Sequence, residues 1–256
     1  MTIVTKKNEQ ENGDCNVIID SLEYPVMSKK EIIKHCKEKN LYITPELNDI
    51  LYLHRKGFIK IENLDEYIGL KCLFLEMNGI HAISGLDTLI NLTSLYLGNN
   101  LIKKIENLEN NKMLDTLDLN FNLISKIENL NNLDNLTRLM LSNNKLETIE
   151  DIEHLVECPN LSIVDLKNNH INDGRIVEQK VLYVQGNPFI RTVKYYRKTT
   201  INACKELTYL DDSPVFPNDR LCAEAFCKDG IEEEKRLRKK LNELEEERIM
   251  KSVNGK

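Results

Sequence analysis

Apolar positions along this chain recur in blocks of twenty-two residues, not at the single period of one long helix or strand. In the block that starts at Leu92 they fall at Leu92, Leu95 and Leu97, followed by Asn100, Ile102, Ile105 and Leu108. The same letters stand twenty-two residues earlier as Leu70, Leu73, Leu75, Asn78, Ile80, Ile83 and Leu86. They return twenty-two residues later as Leu114, Leu117, Leu119, Asn122, Ile124, Ile127 and Leu130. Two looser copies follow, one through Leu136, Leu139, Leu141, Asn144, Leu146 and Ile149, the other through Leu161, Val164, Leu166, Asn169 and Ile171.

This L-x-x-L-x-L-x-x-N spacing is that of a leucine-rich repeat, and it predicts an α/β solenoid. Leu-x-Leu puts both leucines on one face of a short strand and the residue between them on the other. The I-x-x-I-x-x-L half has helical spacing, so each coil is expected to return through a helical or 3₁₀ turn on the convex side. No coil can cover its own apolar face, and stacked neighbours cover it for one another. The column Asn78, Asn100, Asn122, Asn144, Asn169 and Asn187 is expected to be buried and structural, its amides bonding backbone groups that turn away from the strands. The alternative is a polar binding row.

The pattern divides the chain into a polar, disordered segment (1–26), an N-terminal helical cap (27–47), repeats (48–187), a C-terminal cap (188–218) and a charged helical tail (219–256). Ser28 and Glu31 have capping-box spacing, and Ile32, Ile33 and Cys36 form an apolar stripe suited to closing the open end of the solenoid. An irregular first coil follows, with Leu51 and Leu53 in register but Lys56 where the asparagine belongs. From Asn169 to Asn187 is only eighteen residues, and Gln179 stands where a leucine should, so this coil is expected to be tight or to have lost a segment. In the tail, Leu237, Leu241 and Leu244 make a thin stripe among charge pairs such as Glu234 with Arg238, which fits a solvated helix or, alternatively, a coiled coil.

Composition narrows the functional classes. No apolar run has membrane-spanning length, and "MTIVTKKNEQENGD" is not signal-like, so the reading is a soluble, intracellular protein with no membrane partner. Seven scattered cysteines suit a reduced compartment, and Cys222 with Cys227 lacks the second pair or nearby histidine that a zinc set needs. A net charge of −6 disfavours nucleic acid. No phosphate loop, nucleotide fingerprint, metal spacing or paired nucleophile and base is present, so neither cofactor, metal nor catalysis is expected.

A solenoid offers its concave face instead. The residue between the strand leucines is Tyr52, Phe74, Tyr96, Asp118, Met140, Asp165 and Tyr183, and a second exposed column includes Arg55, Met77, Asn99, Phe121, Asn143 and Asn168. Tyr52, Phe74, Met77, Tyr96, Phe121 and Met140 therefore form an apolar, aromatic patch over the amino-terminal two thirds, of a composition favoured at interface cores. Asp118, Arg138, Asp165 and Lys167 add charge toward the other end. Stacked rings also stabilise neighbouring strands, which is the structural alternative.

The segment "KNLYITPELNDILYLHRKGFIKIENLDEYIGLKCLFLEMNGI", the recurring "KIENL", then "LETIEDIEHLVEC", "GNPFIR" and above all "LTYLDDSPVFPNDR" resemble the dynein axonemal assembly factors of the leucine-rich-repeat class. The resemblance runs from about Ser28 to Ala225. It implies a cytoplasmic scaffold or co-chaperone that preassembles dynein arms for a cilium or flagellum, with dynein chains, chaperones or other assembly factors as partners. It brings no catalytic residues. The chain ends at Lys256, where that family tends to carry a long polar extension, so a function held there is expected to be absent or moved. Alternatives from the same repeat subclass are a regulator of type-one protein phosphatase and a structural ciliary component. A spliceosomal relative would favour a basic rim.

Overall fold

The computed structural model describes residues 24–174 and 181–254. Each Leu-x-Leu core forms a three-residue strand: β1 (Ile50–Tyr52), β2 (Cys72–Phe74), β3 (Ser94–Tyr96), β4 (Thr116–Asp118), β5 (Arg138–Met140), β6 (Ile163–Asp165) and β7 (Val181–Tyr183). They lie parallel and in chain order. The central residues stack in register as Leu51, Leu73, Leu95, Leu117, Leu139, Val164 and Leu182. β8 (Tyr209–Leu210) continues the parallel sheet and β9 (Ser213–Pro214) turns back antiparallel.

Stacking removes the repeat's apolar positions from water. Leu114, Leu117, Leu119, Ile124 and Ile127 of the central coil are all 0% exposed, each worth about 1.5–3 kcal/mol of transfer free energy. The asparagine column is buried between coils, Asn78 only partly. Asn122 shows its geometry: Oδ1 accepts Ile102 N–H from the preceding coil (3.0 Å), while Nδ2 donates to Leu97 O there and to Leu119 O in its own coil (both 3.0 Å). Asn100, Asn144, Asn169 and Asn187 repeat the arrangement. Asn78 holds Lys56 N–H and Phe58 N–H. One amide thus satisfies backbone groups that the turn would otherwise leave unpaired in a buried place.

Two columns of left-handed residues turn the coil. The first follows each strand at Arg55, Met77, Asn99, Phe121, Asn143 and Asn168, with φ between 53° and 57°. The second lies on the return at Asn63, Gly85, Asn107 and Asn129, and its asparagines donate to Met27 O, Ile83 O and Ile105 O. Among the described residues the convex returns run through tight turns, with a 3₁₀ helix at Glu153–Glu157.

α1 (Lys29–Glu38) covers the first coil. Ser28 Oγ caps it by accepting Glu31 N–H (3.2 Å), but the Glu31 carboxylate lies on Lys34 and His35 and does not return to Ser28, so only half of the expected box forms. The buried stripe is Ile32, His35 and Cys36, with Ile33 only half-buried. Around buried His35, Lys56 Nζ and Glu38 Oε2 each lie 3.0 Å from Nδ1, and Glu31 Oε1 lies 3.2 Å from Nε2. Of the segment expected to be disordered, residues 1–23 lie outside the described residues and Tyr24, Pro25 and Val26 are exposed and in no helix or strand, while Met27, the first residue of the expected cap, is buried in the core. Gln179 and most of the shortened return also lie outside them, yet β7 keeps full register with β6.

At the other end α2 (Tyr196–Ala203), α3 (Pro217–Asp229) and α4 (Ile231–Asn254) pack in sequence. In the cap, Asp211 follows Leu210, and the β7–β8 register sets it level with Tyr183. Its Oδ1 accepts Val184 N–H (2.9 Å) and Gln185 N–H (3.1 Å), and Oδ2 accepts the Tyr196 hydroxyl (2.9 Å). Arg220 of α3 donates to Ile201 O, Cys204 O and Leu207 O (2.9, 3.2 and 2.7 Å). α4 is anchored near its start, where buried Glu234 accepts from Lys198 and from Arg238; beyond Arg238, up to Ser252, every residue of the helix but the half-buried Leu241 is exposed.

Candidate protein-binding face

Alternation along β1 to β7 turns Tyr52, Phe74, Tyr96, Asp118, Met140, Asp165 and Tyr183 to the concave side, all half-buried. At a strand spacing of about 4.8 Å the column runs for about 29 Å. Its amino-terminal third is a ladder of rings: Tyr52 stacks on Phe74 at 5.1 Å and 18°, and Phe74 on Tyr96 at 4.7 Å and 2°. This is the arrangement foreseen as a structural alternative, and it leaves the ladder's edges and the outer face of Tyr96 to any partner.

Met77 and Phe121 are 46% and 52% exposed. Both occupy the left-handed column, where their neighbours Asn99, Asn143 and Asn168 are of a type that tolerates it. A bulky residue there costs about 1–2 kcal/mol. An apolar side chain held exposed at such a cost points to use at a surface. Arg55 of the same column leans on Met77, its Nε 2.9 Å from Sδ.

The charged residues Asp118, Arg138, Asp165 and Lys167 come from the fourth to the sixth coil. Asp118 is the fourth of seven in its column, between Tyr96 and Met140, so it divides the apolar patch instead of bordering it. Arg138 begins its strand, at the edge of the face, and pairs with Asp115 (3.1 Å). Lys167 pairs with Asp212 of the cap (3.3 Å) and lies 4.7 Å over the Tyr183 ring. The cap thereby reaches the carboxy-terminal end of the face.

The carboxylates are less well served. Burial pushes the pKa of Asp118 up, opposed by one hydrogen bond from Asn120 N–H. Burial also raises Asp165, opposed by Lys167 N–H and the Lys167 ammonium. Glu76, which continues β2 on the same face, is raised by burial too. Each holds its proton more tightly folded than unfolded, so this part of the stability falls as pH rises from about 4 through the raised values. Glu76 was not among the residues singled out from sequence. The strand alternation continues one step past the second leucine, and that was the available signal.

Among the described residues no helix is long and apolar enough to cross a membrane. A family model described as leucine-rich repeats (2 copies) matches residues 68–110 and 112–154. The chain is 62% identical over 238 residues to dynein axonemal assembly factor 1 of Homo sapiens, covering 90% of this chain and 33% of that protein. The Mus musculus protein of the same name is 60% identical over 238 residues, covering 90% and 38%. The Drosophila melanogaster dynein axonemal assembly factor 1 homolog is 53% identical over 237 residues, covering 89% and 16%. The chain therefore spans well under half the length of these curated relatives. An internalin from Listeria monocytogenes matches with a TM-score of 0.53 at 20% identity over 72% of this chain and 51% of that one, a likeness of fold alone.

Proposed function

Since this chain is a leucine-rich-repeat protein homologous to the dynein axonemal assembly factor 1 proteins, we propose that it is a non-catalytic scaffold for the assembly of axonemal dynein arms. It acts in the cytoplasm as a co-chaperone, before the arms enter a cilium or flagellum. Its concave face holds a protein client, a dynein arm chain or a chaperone that carries one. The contact residues are Tyr52, Phe74, Met77, Tyr96, Phe121 and Met140, with Asp118, Arg138, Asp165 and Lys167 supplying charge.

The observation that carries this reading is the pair of exposed apolar residues, Met77 and Phe121, held in left-handed backbone beside the ring ladder. Asparagine would suit this backbone better at both positions, and an exposed apolar side chain held there supports a contact surface.

The test is Tyr96→Ala combined with Met140→Ala. Both side chains are only half-buried and neither belongs to the solenoid core, so the thermal midpoint should move by no more than a few degrees. Affinity for the client captured by the unmodified chain should fall by at least about tenfold. Undiminished capture by the folded double variant would remove the concave face from the account.

A further inference from the structure

The centre of the concave face contains a notch that the repeat does not require. In the other coils the residue after the second strand leucine is His54, Glu76, Asn120, Ser142, Lys167 or Gln185, but in the third it is Gly98. Bonds from Met77 N–H to Gly98 O (2.9 Å) and from Asn99 N–H to Asn120 O (2.8 Å) set Gly98 between Glu76 and Asn120. Its backbone is not left-handed. A Cβ added to it would meet Asn120 O and Asp118 Oδ1 at 3.5 Å, an ordinary contact. The fold would accept a side chain here, and its absence leaves a gap.

The walls of the gap share one chemistry. Tyr96 gives one ring face to Phe74, and its other face looks toward the next coil, where the register places Asp118. Asp118 Oδ1 accepts Asn120 N–H (2.9 Å), and Oδ2 takes no hydrogen bond among the described residues. Glu76 Oε2 is shut off from solvent without any hydrogen-bond partner among them. Among the described residues neither carboxylate forms an ion pair, whereas Arg138 and Lys167 of the same face are already matched to Asp115 and Asp212. The charge of Asp118 adds to the effect of burial on Glu76, and the Glu76 backbone N–H and nearby His54 oppose it. Two partly desolvated carboxylates beside the Tyr96 ring, neither in an ion pair among the described residues, are complementary to a planar cation.

We propose that the notch over Gly98, between Glu76, Tyr96 and Asp118, receives an arginine side chain of the bound polypeptide. The proposal rests on the concave face being the docking surface and names the partner's chemistry there. A guanidinium stacks on the Tyr96 ring while its N–H fork meets a carboxylate, whereas an ammonium gains the charge without the planar fit.

The test titrates the full 256-residue chain with acetyl-Gly-Arg-Gly-amide, following the Gly98 amide by nitrogen-15 NMR. Matched peptides carry lysine or the neutral isostere citrulline in place of arginine. The arginine peptide should move the Gly98 resonance saturably, at least about fivefold tighter than the lysine peptide, with no saturable shift from citrulline. Asp118→Asn and Gly98→Ala should each weaken binding about tenfold with the thermal midpoint unchanged or raised, because one removes a desolvated charge and the other adds a methyl where space exists. A silent Gly98 amide, equal binding of lysine and arginine, or binding undiminished in a folded Asp118→Asn chain would each overturn the proposal. Those outcomes are separable from failure of the docking reading. In that case client capture survives Tyr96→Ala with Met140→Ala; if capture falls but the peptide does not bind, only the arginine inference is lost.

Discussion

Replacing Leu119 with arginine should abolish cooperative folding of the central coils. Leu119 is 0% exposed and belongs to the solenoid core, and its backbone N–H bonds Met140 O (2.9 Å) of the next coil. Losing its transfer energy and forcing an unpaired guanidinium into that space costs at least about 4 kcal/mol. A single domain is stable by about 5–15 kcal/mol in all. In a solenoid the damage spreads to both neighbours, because each coil is covered only by the next. Urea denaturation followed by circular dichroism should show a lost or strongly lowered midpoint. An unchanged midpoint would mean that the strand register is wrong.

The second large effect is expected at the cap. In Arg220→Leu three carbonyls, Ile201 O, Cys204 O and Leu207 O, lose the guanidinium that gathers them. Charge-assisted bonds of this kind are worth about 1.5–3 kcal/mol each in favourable settings, and their joint loss should cost about 3 kcal/mol. The effect should be local. Amide exchange should quicken by about a hundredfold (about 2.7 kcal/mol of local opening) in α2, α3 and β8, and much less in β1 to β4. Uniform acceleration along the whole chain would show that the cap and the repeats unfold as one unit.

The parts of this molecule that were legible in the sequence are those where one physical demand repeats. Leu95 and Leu117 meet the same environment one coil apart, so their spacing alone places both strands. The asparagine column was legible for the same reason. What was not legible depends on departures from the repeat. Met77 and Phe121 look like ordinary exposed residues until Asn99, Asn143 and Asn168 at equivalent positions are taken as a mark of left-handed backbone. Gly98 carries no pattern signal at all; its meaning comes from the carboxylates and the ring that surround it. His35 was hidden because a polar residue on an apolar stripe is buried only when partners such as Lys56 and Glu38 come from outside the local pattern or from the next turn. Glu234 has the same cause: its i,i+4 pairing with Arg238 could be foreseen, but its burial against Lys198 of α2 could not.

The most direct measurement is recovery of the native protein from the cytosolic fraction of cells building cilia or flagella, with the bound partners identified by mass spectrometry. The account predicts axonemal dynein chains together with chaperones, lost when Tyr96 and Met140 are both alanine. A type-one phosphatase catalytic subunit recovered without dynein, or a protein found only in the finished axoneme, would contradict it.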